Sequence, residues 1–174
     1  MNLTIIEILI LLIPAIIIAV TVIIIVRYYY KHSENERRAE LILKNQEITL
    51  PLRLQAYERM TLFLERISPD SLLMRHNQSN ITSRQLHSIL LTSIRNEFEH
   101  NLSQQIYMSP KAWELVKNAR SQIIKVINTA AEKVDPKAPA IELSKKILEI
   151  VGEYDKYPTA ATIEYLKKEI KDLI

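Results

Sequence analysis

Glu97 and His100 stand three residues apart in RNEFEHNLSQQ, a segment rich in helix-forming residues. That spacing puts a carboxylate and an imidazole on one helix face. Di-iron and di-manganese helical bundles use the same pair twice, with one more carboxylate from each of two other helices. This chain has one copy. Glu58 and Glu65 offer further oxygens, but no second histidine has the matching spacing. A metal-dependent helical-bundle enzyme using Glu97 and His100 is therefore an alternative, not the leading expectation. Ser93, Glu97, His100 and Gln104 read better as a polar column that hydrogen-bonds to neighbouring helices or to a partner. His87 lies more than three turns from His100. His76 falls in a polar loop and reads as a solvated side chain.

Other chemistry has less to work with. The chain has no cysteine, which removes disulfides, thiolate zinc sites and cysteine nucleophiles. Its single glycine, Gly152, cannot make a phosphate-cradling loop, and no serine sits in a G-x-S-x-G elbow. No catalytic residue and no cofactor is assigned. The net charge of +3 is too small to imply a nucleic-acid partner.

The elements that carry these residues are helical. Scarce glycine and long runs of Leu, Glu, Lys, Arg, Gln and Ile favour helices over hairpins. Residues 51–67 form an amphipathic helix, with Ala56, Met60, Phe63 and Ile67 inward and Ser68-Pro69 as the stop. Residues 70–81 read as a short helical turn and a polar loop. A long helix starts at Thr82 or Ser83 and runs to about Tyr107. Its apolar column, Leu86, Leu90, Ile94, Phe98, Leu102 and Ile106, repeats every four residues, so it winds about the axis and suits a central helix. Ser109-Pro110 restarts the chain into a helix reaching about Val134. Asp135 to Pro139 is a rigid linker. A shorter helix follows from Ile141 to Val151, stopped by Gly152. The last begins at Pro158.

The N-terminus differs. Residues 3–26 are nearly all Ile, Leu, Val and Ala, about 36 Å of helix against a hydrocarbon core of about 30 Å. Arg27, Lys31, Arg37 and Arg38 follow, and Tyr28, Tyr29 and Tyr30 suit an interfacial belt. Glu7 and Pro14 interrupt the run and are candidate intramembrane contacts. The expected fold is all-α: one N-terminal transmembrane helix plus a small soluble helical bundle of about five helices. The expected organisation is anchor and belt over 1–31, a juxtamembrane helical stalk over 32–50 ended or kinked at Pro51, and a cytoplasmic bundle over 51–174. The charge asymmetry puts the chain in the inner (cytoplasmic) membrane, N-terminus outside, with the lipid bilayer as a partner.

Residues 1–50 resemble the peripheral-stalk b subunit of rotary ATP synthases, which continues as one long helix where this chain meets repeated prolines. The segments TLPLRLQAYERMTLFLERISP (49–69) and IRNEFEHNLSQQIYMSPKAWELVKNAR (94–120) are similar to short membrane-anchored proteins of Bacteroidota without an assigned function. That resemblance implies a bacterial inner-membrane protein and transfers no catalytic residue. The leading functional expectation is a non-enzymatic interaction or scaffold protein that binds another protein or itself. Its candidate contacts are Arg95, Glu99, Gln105, Tyr107 and Trp113, at the junction of the two longest helices. An accessory subunit of a larger membrane complex is the other alternative.

Overall fold

The computed structural model describes residues 2–76, 80–155 and 157–172; the side chains of residues 2–9, 11, 13, 15, 32–36, 38, 39 and 42 lie outside that description. The helices are α1 (Asn2–Arg66), α2 (Pro69–Arg75), α3 (Ser83–Asn101), α4 (Pro110–Glu132), α5 (Ala140–Gly152) and α6 (Pro158–Lys171), with a 3-10 turn (Leu102–Ile106) between α3 and α4. The chain divides into two compact units, residues 1–49 and 50–174.

Among the described residues, no helix is long and apolar enough to cross a membrane. This overturns the transmembrane anchor expected over residues 1–31. Pro14 is exposed within α1, and the Glu7 side chain lies outside the described residues.

Pro51 does not end α1. Just before it, the Thr49 hydroxyl donates to the Asn45 carbonyl one turn back, at 2.7 Å. The residues after the proline, Leu52, Arg53 and Leu54, are all good helix formers. A proline with helical neighbours can be absorbed at the cost of one hydrogen bond.

In the second unit the apolar stripes meet in one core. Tyr57, Met60, Phe63 and Leu64 of α1 are buried, with Ile67 just beyond its end, as are Leu86, Leu90, Ile94 and Phe98 of α3. Each such side chain contributes about 1.5–3 kcal/mol by leaving water. α4 packs against α3, α5 and α6, while α3 packs against α4 and α5. The centre of the bundle is thus as much α4 as α3. Its small residues Ala112, Ala119 and Ala130 are buried alongside Val116, Ile123 and Ile127, letting neighbouring backbones come close.

Two helix ends differ from expectation. Leu102 is 42% exposed and Ile106 75%, so the apolar column of α3 stops at Phe98. The chain tightens to a 3-10 turn after Asn101, and three residues per turn carry the next side chains off the buried stripe. Buried Asn101 assists, because its side-chain amide donates to the Glu97 carbonyl at 2.8 Å. Gly152 is the last residue of α5 and has no positive φ, so α5 ends without a left-handed cap.

Candidate functional site

Glu97 and His100 do share one side of α3, and both line a groove of about 720 Å³. Arginines, not metal ligands, come to meet Glu97. Arg66, the last residue of α1, places Nη2 2.7 Å from Glu97 Oε1. Arg75, the last residue of α2, places Nη1 3.5 Å from the same oxygen. Arg75 also donates through Nη2 to the Arg66 carbonyl. The sequence arranges this convergence locally. Ser68-Pro69 separates α1 from α2 by a tight turn, in which the Ser68 hydroxyl donates to the Glu65 carbonyl and Pro69 opens the new helix. Both helices end on an arginine that reaches Glu97, near the C-terminal end of α3.

Beside the arginines, His76 Nε2 lies 3.1 Å from Ser93 Oγ. His76 is half-buried rather than solvated. Burial, and then the positive charge of Arg75, hold its pKa below the ordinary histidine value. Ser88, Thr92 and Asn96 complete the polar lining of the α3 side. His100 is exposed at the edge of the groove. Among the described residues, no group of three or more His, Cys, Asp or Glu side chains could hold a metal ion. A cation at Glu97 would also have to displace two guanidinium groups. The geometry therefore lends the metal-dependent alternative no support.

The five candidate contact residues fall on another side of the bundle, and the structure brings only some of them together. Arg95 and Glu99 line a groove of about 420 Å³ between α3 and α4, with Leu91, Phe98, Leu102 and Ile124 as its apolar part. Trp113 is half-buried and stacks on Phe98, with ring centroids 5.5 Å apart. Phe98 in turn meets Phe63 in a tilted pair at 5.8 Å. The Arg120 guanidinium lies 4.0 Å over the Phe98 ring. Its Nε is buried without a hydrogen-bond partner among the described residues, a cost that the cation–π contact offsets in part. Trp113 thus serves the core. Gln105 and Tyr107 are exposed at the 3-10 turn, outside the residues lining that groove.

His87, unremarkable in sequence, places Nε2 2.8 Å from Asn128 Oδ1 of α4 and lines a small groove of about 160 Å³ with Ser83 and Pro136. Sequence reasoning missed Arg66, Arg75 and His76 as neighbours of Glu97. The one signal available was a basic residue in the last turn of each of two consecutive helices.

No curated protein and no solved structure matches the chain. Its residues 3–173 match the family of unknown function DUF7935, and the chain belongs to that family.

Proposed function

We propose that this chain is a non-enzymatic interaction protein that associates with a second polypeptide, either another protein or a second copy. One observation carries the reading. Every described large apolar side chain between residues 10 and 26 is between 44% and 65% exposed. These side chains point to all sides of α1. A helix that is apolar all round is stable only when something covers it. The exposed apolar residues Leu102, Ile106 and Tyr107 at the 3-10 turn support the same reading, as does the apolar groove beside Arg95 and Glu99. Resemblance of residues 49–69 and 94–120 to Bacteroidota proteins suggests a bacterial setting.

The test is chemical crosslinking in intact cells followed by mass spectrometry, with the association state of the purified full chain measured in parallel. A stoichiometric crosslinked species through α1 is expected. Replacing Ile17 and Ile24 together by Glu should abolish it without unfolding residues 50–174. A chain that is strictly monomeric and crosslinks to nothing would overturn the proposal.

A further inference from the structure

The groove around Glu97 holds more positive charge than its one carboxylate balances. Arg66 and Arg75 both approach Oε1 of Glu97, so two cations share a single anionic oxygen. A guanidinium is a planar fork suited to two parallel hydrogen bonds with a carboxylate or phosphate. Glu97 uses neither fork fully. The Arg66 side chain is 56% exposed and that of Glu97 18%, so solvent and solutes reach the pair from the groove. Ion pairs this accessible are weak.

The rest of the lining matches an anion carried on a larger body. Ser93, already paired with His76, and the hydroxyls of Ser88 and Thr92 offer donors along α3. The volume of about 720 Å³ lies within the range of small-molecule sites and far exceeds a bare tetrahedral anion. Ile89 gives the wall an apolar contact.

We infer that this groove is a binding site for a phosphate monoester, whose dianionic group displaces Glu97 from Arg66 and Arg75. Glu97 acts in the clamp as an internal competitor. A dianion balances both guanidiniums, and its several oxygens engage the Arg66 fork together with Nη1 of Arg75, whose Nη2 already donates to the Arg66 carbonyl; one carboxylate oxygen cannot do this. The organic part of the ester fills the groove along Ile89, Thr92 and Asn96. This site does not depend on the association proposed above and would remain if the chain were monomeric.

Titration calorimetry of the full chain with phenyl phosphate tests it, with inorganic phosphate and acetate as comparison. Saturable binding is expected in the order phenyl phosphate, then inorganic phosphate, then acetate. Glu97→Gln removes the competing charge while keeping a similar shape, and should tighten phenyl phosphate binding about tenfold. Arg75→Ala should weaken it about tenfold or more. Arg66→Lys keeps the charge but loses the fork, so weaker binding by this variant, with thermal unfolding unchanged, separates recognition from folding. If Glu97 merely braces three helices, Glu97→Gln lowers the unfolding temperature and leaves phosphate binding unchanged or absent. That result, or arginine variants that bind as the parent does, would overturn the inference.

Discussion

At its first turn α3 hands three successive backbone N–H groups to acceptors outside the helix ladder, whereas at its last turn the helix tightens and leaves apolar side chains in water. Ser83 N–H donates to the Ala138 carbonyl at 2.8 Å, Arg84 N–H to the Pro136 carbonyl at 3.1 Å, and Gln85 N–H to Thr82 Oγ1 at 3.3 Å. Gln85 Oε1 accepts in return from Thr82 N–H, completing a capping box. The linker supplying the two carbonyls is itself folded, because Asp135 Oδ1 accepts from Lys137 N–H. The donors that a helix start leaves orphaned are therefore met one by one. The other end is held by rings. Phe98 lies among Phe63, Trp113 and Arg120, and one turn further on Leu102 is already exposed. One end is secured by many small directional bonds, the other by one large apolar anchor beside open surface. The second arrangement is the one that leaves a surface available for a partner.

The comparison breaks most severely at the anchor. Phe98→Ala removes the stack on Trp113, the pair with Phe63 and the ring beneath Arg120, and leaves a cavity. The expected loss is about 3–5 kcal/mol, read from the midpoint of denaturant unfolding at constant slope. A loss below about 1 kcal/mol would mean that the bundle closes over the gap and that this end has no anchor.

The opposite end should yield more gently. Thr82→Ala deletes one acceptor, but the Ala138 and Pro136 carbonyls continue to serve Ser83 and Arg84. A loss of about 1 kcal/mol is expected, with most of it restored in Thr82→Ser. Equal losses from Thr82→Ala and Phe98→Ala would erase the distinction between the two ends.

These two ends also show what the amino-acid sequence exposes to a reader and what it conceals. Thr82, Ser109-Pro110 and Pro158 mark helix starts through chemistry within three or four residues, and α3, α4 and α6 begin there. Inward periodicity likewise locates Phe63 and Ile94, because one stripe on one helix is a local pattern. The linker carbonyls that cap α3 come from more than fifty residues away, and no spacing rule points to them. The same holds for Arg66 and Arg75 at Glu97: each arginine ends its own helix, and only the turn at Ser68-Pro69 turns both toward α3. Local signals also misled. Pro51 read as ending or kinking the helix, and α1 runs on through it; the four-residue repeat carried Leu102 and Ile106 into the core although the 3-10 turn had already rotated them out. The N-terminal run read as an anchor from its apolar length and from the basic residues and tyrosines that follow it.

The finest test of the comparison is Ile106→Ser. The four-residue repeat makes Ile106 the last rung of the buried column, and on that view its truncation to a polar group costs several kcal/mol. The structure leaves it 75% exposed in the 3-10 turn, two rungs past the last buried one. Exposed positions away from caps, cores and paired charges change stability by no more than about 0.5 kcal/mol. Ile106→Ser should therefore unfold at the same denaturant concentration as the parent chain. A shift above about 1 kcal/mol would place Ile106 in the core, extend α3 through residue 106, and close the surface at this end of the helix. An unchanged midpoint fixes the limit of the anchor at Phe98 and leaves Ile106 free to be tested for its effect on association alone.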